Sequence, residues 1–515
     1  MMYDALIIGN GIAGSSLALF LARKGKKVCL ITKGVSLEET NTARAQGGIV
    51  FRGEGDSTEL LARDILEASG WTASPRSARI LARLGPVLVK RFLIEELRIP
   101  FERKADGTWD LFQEGAHSKR RILHVKDYTG RVIQRYLNEA VQKEDNITLH
   151  TGTFALELIT SFQYAREAKI RYGKPECFGA YVLKDGTIFP IFARATVLAT
   201  GGLNALFRHS SGGPWATGDG FALALRAWVP LSDMEHIQFH PTLLYEPQES
   251  YSFLLSEALR GEGAILCDEQ GTPFLERLHP LGNLAPRNVV AQAMFEVMQE
   301  KGLAHLFLDL RPLGERLYSD FPEILGELTQ RGFDPLREPI PVVPGAHFAC
   351  GGVLVDTWGR TPLCRLYAIG EVACSGVHGA NRLASTSLLE GLTFAFRAAR
   401  AIAFHEPPLN LPSICPFPKR PGEGDTACIA QLRQTLQETM WKYAGVKRER
   451  GGLIKALTVL FKVKKELLEL QTSLGISLPL QELENMTDTA IAVVSAAFRG
   501  FGSVPASCGS PDAQS

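Results

Sequence analysis

The chain opens on alternating apolar and small-residue segments. YDALII is a short continuous apolar run, GNGIAG is glycine-rich, SSLALFLARKG reads as a helix and KKVCLIT is a second apolar run. This order predicts a strand, a tight turn, a helix and a parallel strand, a βαβ unit at the N-terminus. Two further apolar runs lie far downstream, ATVLATGG (Ala195–Gly202) and LYAIGEVA (Leu366–Ala373). Each of the three principal runs gives way to glycine, as strands do where a ligand approaches their carboxyl ends. Between the last two lies a block of mixed helix and loop, rich in His, Pro and Arg. A nucleotide-binding domain interrupted by an inserted domain accounts for this spacing. HEPPLNLPSICPFPKRPGEGD (His405–Asp425) reads as a linker, and the stretch beyond it, with helical periodicity and alternating charge, as a terminal helical bundle. The expected division is residues 1–231 and 350–405 for the nucleotide-binding domain, 232–349 for an inserted capping domain, 406–425 for the linker, 426–500 for the helical domain and 501–515 for a frayed tail.

Composition narrows the class. The chain has 515 residues, enough for several domains. Its 56 Lys+Arg against 55 Asp+Glu gives no reason to expect nucleic acid or a charged membrane as partner. No apolar run reaches the roughly 18 residues of a spanning helix, so no membrane anchor is expected. The nine cysteines occur singly, without a CxxC pair. No metal or iron–sulfur site is therefore expected, and reduced thiols in a cytoplasm fit best.

Gly9, Gly11 and Gly14 form G-x-G-x-x-G between strand and helix, the fingerprint of a dinucleotide site. The acid expected about 20 positions further on, for a ribose, is replaced by Thr32 and Lys33. That disfavours a plain NAD-type site and leaves Lys33 to meet adenosine or phosphate oxygens. HGANRLASTSLLEG (His378–Gly391) places Arg382 just before a helix start at about Ser387. Arg382 is either a surface cap on a loop or the holder of an anion that the helix N-terminus also faces.

GNGIAG, NTARAQGGI, ATGG, ATGDG, QFHPT, EALRGEGA, LAPRNVV, HFACGGV, AIGEV and HGANRLASTSLLEG occur in that order. Over about Tyr3 to Arg400 the chain resembles the succinate dehydrogenase/fumarate reductase flavoprotein superfamily, and most closely its aspartate-oxidising branch. The resemblance implies an α/β fold: a bipartite FAD-binding Rossmann-like domain, an inserted α+β capping domain and a C-terminal helical bundle. It also implies FAD-dependent oxidation of L-aspartate to iminoaspartate, with oxygen or fumarate as acceptor. That reaction begins NAD biosynthesis, and quinolinate synthase takes the product. A soluble fumarate reductase or succinate oxidase, and a non-catalytic flavin-binding protein, are the alternatives.

Residue by residue, the resemblance assigns FAD contacts to Gly9, Asn10, Gly11, Ile12, Ala13 and Gly14, to Lys33, and to Asn41, Thr42, Ala43, Arg44, Ala45, Gln46, Gly47 and Gly48. Asp219, Glu371, Ser387 and Leu388 complete that set. Respiratory members tether FAD through a histidine where this chain has Asn41, so a non-covalent flavin is expected. His240, Ser256, His347 and Arg382 correspond to ligands of the two substrate carboxylates. Ser256 stands where threonine is usual, keeping the hydroxyl and losing the methyl. In EGAHSKRRILH, Glu114 corresponds to the carboxylate that meets the substrate ammonium. Arg287 matches the arginine near Cα, where it is expected to orient substrate and relay a proton through Glu257 and Arg260. The chain departs from the family's usual helical-domain ending after Arg499.

Overall fold

The computed structural model describes residues 2–247, 251–405, 409, 411–422 and 426–501. Strand β1 (Met2–Ile8) leads into helix α1 (Ile12–Ala22) and strand β2 (Val28–Ile31). Then come β3 (Ile147–His150), β4 (Phe154–Thr160), β5 (Cys177–Lys184) and β6 (Thr187–Leu198). The sheet order is β3-β2-β1-β6-β5-β4, and the short strand Leu366–Ala368 lies beside the end of β6. Ile8 pairs in parallel with both Ile31 and Leu198, Ile31 with His150 and Leu198 with Ala368, so five strands end along one edge. Their apolar runs are buried on both faces, as central parallel strands require.

Two expectations need correction. The second run starts at Thr187, not Ala195, because its first half pairs antiparallel with β5 across a tight turn at Asp185–Gly186. Both turn residues have positive φ (46° and 73°), which an Asp-Gly pair accommodates. The third run stays a strand only to Ala368; Gly370, at φ 69°, turns the chain before the short strand Ala373–Cys374.

At the end of β1 the glycines are dictated by space. A Cβ on Gly9 would lie 2.2 Å from the Ala199 carbonyl oxygen, and one on Gly14 1.9 Å from that of Gly9. Only glycine lets α1 start this close to the sheet. Helix α2 (Asp219–Arg226) follows β6 after a loop, and Gly218 precedes it.

The chain leaves this domain through Leu231–Ser232 and returns through Gly352–Val353, and these two segments pair with each other. Between them β7 (Ile237–Leu244), β8 (Ile265–Cys267), β9 (Leu306–Asp309) and β10 (Ile340–Ala349) form an antiparallel sheet in the order β7-β10-β9-β8. Helix α3 (Arg287–Lys301) packs on it over a separate apolar cluster that includes Leu244, Met294, Leu308 and Val342. Helix α4 (Ser387–His405) then packs against α1.

Three C-terminal helices follow: α5 (Thr426–Ala444), α6 (Arg450–Leu474) and α7 (Leu478–Gly500). Their apolar faces join Phe221 and Leu223 of α2 in one core with Leu436, Leu460 and Val493. The described part of the expected linker lies against β5. Phe417 packs on Tyr181 at 5.4 Å, and the Tyr181 hydroxyl donates to the Cys415 carbonyl. Residues 406–408, 410 and 423–425 of that linker, and the expected tail beyond Phe501, lie outside the described residues. Among the described residues no helix is long and apolar enough to cross a membrane.

Candidate active site

A cavity of about 1710 Å³, open mouth included, runs along the edge where the parallel strands end. Its lining runs continuously from the glycine turn at Gly9 to Ala13 through to His240, Arg287 and Arg382. Its long half is lined by Gly9 to Ala13, Lys33, Asn41, Thr42, Arg44 to Gly48, Asp219, Glu371, Ser387 and Leu388. Gly14 and Ala43 are not among its lining residues. The N-cap of α1 is Gly11, and Gly11, Ile12 and Ala13 line the cavity, so the positive end of the helix faces it. The Thr42 hydroxyl accepts from the Ile12 N–H at 3.0 Å and ties the NTARAQGG run to the dinucleotide turn. These features fit a dinucleotide pyrophosphate.

Asn41 is held in place: its Oδ1 accepts from the Gly213 N–H and the Trp215 indole, each at 3.2 Å. The Arg44 guanidinium lies between two rings, 4.9 Å from Trp215 and 4.4 Å from Tyr251. Lys33 lines the cavity as well. Its ammonium donates to Thr217, Asp219 and Glu482, which uses all three of its hydrogens and leaves none for adenosine or phosphate in this arrangement.

Glu371 accepts from the Ala349 N–H at 3.1 Å, and burial pushes its carboxyl up to about 7. The folded value lies above the ordinary one. Its contribution to apoprotein stability is therefore full below about pH 4.5 and is lost as pH rises towards 7. Glu371→Gln should raise the melting temperature of the apoprotein at pH 8 by a few degrees and leave it little changed at pH 4.5. Thermal unfolding at the two pH values checks this.

The other end of the cavity is built for anions. Arg382 is 5% exposed, which rules out a surface cap. Its guanidinium donates to Ser387 Oγ (2.7 Å), His347 Nε2 (3.0 Å) and Gln238 Oε1 (3.3 Å) and lies over the Phe348 ring. Every one of these acceptors is neutral. Because an arginine can only donate, His347 Nε2 must be an acceptor. Its Nδ1 then carries the hydrogen and faces Ser211 Oγ at 2.7 Å. With both nitrogens engaged, His347 holds Arg382 in this arrangement. In His240, Nδ1 accepts from the Thr242 N–H at 3.2 Å, so the neutral ring carries its hydrogen on Nε2. Burial, then Arg287, keeps His240 well below the usual histidine range; burial and Arg382 do the same for His347. Ser256 lines the same end and caps the short helix Glu257–Gly261.

Arg287, at the start of α3, forms an ion pair with Glu257, and Arg260 stands behind that carboxylate at 3.8 Å, outside the cavity lining. Burial pushes Glu257 up, but Arg287 and Arg260 outweigh it and hold the carboxyl below its ordinary value. Glu114 is buried in the same cleft and accepts from Ser385 Oγ at 2.6 Å. Burial raises its pKa against the pull of Arg287. A Cβ on Gly115 would lie 2.5 Å from Glu257 Oε1, so the Glu114 loop sits directly against the Arg287 pair. Arg287 and Arg382 in the cleft, with Arg260 behind, thus stand against Glu257 and Glu114; over these five side chains the surplus positive charge is one with Glu114 ionised and two with it protonated.

Residues 4–388 match the FAD binding domain family. The L-aspartate oxidase of Streptomyces coelicolor is 39% identical over 471 residues, 88% of this chain and 78% of that one. L-aspartate oxidase 1 of Ralstonia nicotianae is 36% identical over 507 residues, 97% and 93% of the two chains. The chain belongs to the L-aspartate oxidase family. Among solved structures, a mutant of the E. coli quinol fumarate reductase chain FrdA superposes with a TM-score of 0.83 at 27% identity, covering 97% of this chain and 88% of that one. Another quinol-fumarate reductase gives 0.83 at 26% identity, with 97% and 90% covered. FAD is the cofactor of this family, and the matched span 4–388 contains every residue named above for the dinucleotide half of the cavity.

Several residues at this family site escape a reading of the sequence. Gln238 lies two positions before His240 on β7, so strand alternation puts both on one face, and that signal was available. Ser385 has φ 53°, a left-handed serine between the cofactor run and Glu114, and no local pattern announces it. Phe348 reaches Arg382, and Ser211 reaches His347, only through the fold.

Proposed function

We propose that this enzyme oxidises L-aspartate to iminoaspartate on a non-covalently held FAD, with oxygen or fumarate as electron acceptor. The observation that carries the reading is Glu114, a buried carboxylate in the same cleft as Arg287 and Arg382, with Arg260 behind. L-aspartate carries one net negative charge and balances the cleft with Glu114 ionised. Succinate carries two and balances it only with Glu114 protonated, so the charge state of one residue separates the two substrates. Arg382, turned by His347, grips one carboxylate; His240 Nε2 and the Ser256 hydroxyl meet the other. Glu114 draws the substrate ammonium towards it, and its raised pKa suits it to take a proton from that group. Arg287 fixes the substrate between the clamps, and Glu257 and Arg260 lead a proton away. Bound FAD would supply the hydride acceptor for Cα. Loss of the ammonium proton must come first, because a positive nitrogen cannot push electrons towards Cα.

Asn41 supports the non-covalent binding of FAD, since a carboxamide engaged by Gly213 and Trp215 offers no nucleophile. Residues 232–349 act as a cap over the substrate in this reading, turning about Ser232 and Ala349. The reaction opens NAD biosynthesis, and quinolinate synthase is the proposed consumer, because an imine hydrolyses in water. The eight free cysteines among the described residues fit a reducing cytoplasm.

Anaerobic addition of substrate tests the function. Flavin bleached by L-aspartate but not by succinate supports it; bleaching by succinate supports a succinate oxidase; no bleaching by either supports a binding protein. Glu114→Gln should raise KM for L-aspartate about tenfold to a hundredfold and leave succinate binding equal or tighter. Steady-state KM and succinate inhibition check this. An unchanged aspartate-to-succinate ratio would remove Glu114 from specificity.

A further inference from the structure

The C-terminal helices have no part in the reading above, yet one of them touches the wall of the FAD cavity. Lys33 stands at the end of β2, where an acid ordinarily takes the adenosine ribose. Its ammonium lies 2.6 Å from Thr217 Oγ1, 2.7 Å from Asp219 Oδ2 and 2.6 Å from Glu482 Oε1 of α7. The second oxygen of Glu482 accepts from Arg433 of α5 at 3.1 Å. The second oxygen of Asp219 accepts from Asn485 of α7 at 2.8 Å. One turn further along α7, the Thr489 hydroxyl donates to the Gly218 carbonyl at 3.1 Å. A Cβ on Gly218 would come within 2.9–3.1 Å of the Thr489 side chain, so α7 lies directly on the start of α2.

Lys33 and Asp219 therefore each have two sides. Both line the cavity, and both are bonded by α7. With Glu482 and Arg433 they make a neutral quartet of two cations and two carboxylates. In a partly buried set of this kind each member helps to fix the geometry of the others.

We propose that Glu482, Arg433 and Asn485 are positioning residues of the FAD site, so that FAD retention and the docking of the C-terminal helices are one linked equilibrium. The inference rests on the FAD reading of the cavity. Linkage is reciprocal: whatever α7 adds to FAD affinity, FAD adds to the docking of α7. Removing the Glu482 charge frees Lys33 to swing towards Asp219 and leaves Arg433 without its acceptor. Removing the Asn485 amide releases the other oxygen of Asp219. Both changes loosen the adenosine end of the cavity without touching the dicarboxylate clamp.

The test uses the full chain. FAD is titrated into apoprotein and followed by flavin fluorescence for wild type, Glu482→Gln, Asn485→Leu and Lys464→Met. The last removes a different ion pair of the helical segment, with Asp488, which does not face the cavity. The dissociation constant should rise about tenfold in the first two variants and stay within twofold in the third. Limited proteolysis of the wild type needs no variant: cleavage between residues 426 and 501 should slow when FAD is added. Unchanged FAD affinity in Glu482→Gln and Asn485→Leu, or helical cleavage indifferent to FAD, would overturn the linkage. A wild-type chain that takes up no FAD would instead overturn the cofactor reading and this inference with it.

Discussion

Arg287→Leu should abolish aspartate oxidation, with kcat lowered about a thousandfold or more, while the purified protein still carries flavin. Arg287 meets Glu257 in the cleft and lies beside Glu114, at the meeting point of the substrate and the proton route. Leucine removes the donor and also leaves Glu257 with only the more distant Arg260, at 3.8 Å. Breaking a buried pair from one side costs about 3–5 kcal/mol, so the loss of activity must be separated from loss of fold. Arg287→Lys does this. It keeps a cation for Glu257 but loses the planar fork that holds two directions at once. The lysine variant should melt near wild type and still reduce its flavin at least a hundredfold more slowly under anaerobic stopped-flow. Near-normal flavin reduction in either variant would take Arg287 out of the chemistry.

What the sequence makes legible here is what local spacing encodes. GNGIAG between an apolar run and a helix predicts the tight turn at Gly9, and the turn is there, with Gly9 at φ 110°; the structure adds a contact with Ala199 that excludes any Cβ. The start of α4 at Ser387 follows from the small residues after Arg382. The Asp-Gly pair at 185–186 is an equally local hairpin signal, and it places the start of β6 at Thr187 rather than Ala195. Other features have no local signature. Lys33 and Glu482 are 449 positions apart, so no window of sequence joins them. The neutral acceptors around Arg382 come from β7, β10 and the start of α4, and the left-handed backbone of Ser385 is imposed by the elements it bridges. Residue types named the chemistry of the cleft; only the fold shows which side chains have hydrogen bonds to spare.

Arg382→Leu should weaken L-aspartate binding about thirtyfold to a thousandfold and leave the melting temperature of the substrate-free protein unchanged or higher. The two effects have opposite signs for one physical reason. Arg382 is buried with Ser387, Gln238 and His347 as acceptors, and no carboxylate of the described residues is bonded to it. Burial, then repulsion from Arg287, lowers its pKa to about 10, so it is still charged at neutral pH. A buried cation without a bonded counter-anion destabilises the empty protein, and the incoming carboxylate supplies the missing charge. Leucine removes that cost along with the clamp. A surface or purely structural arginine would behave differently, because losing its hydrogen bonds would lower the melting temperature and spare KM. Differential scanning calorimetry of the substrate-free protein, together with KM for L-aspartate, distinguishes the two. A lower melting temperature with an unchanged KM would mean that Arg382 holds the loop before α4 and binds no substrate, and the dicarboxylate reading of the cleft would lose its main support.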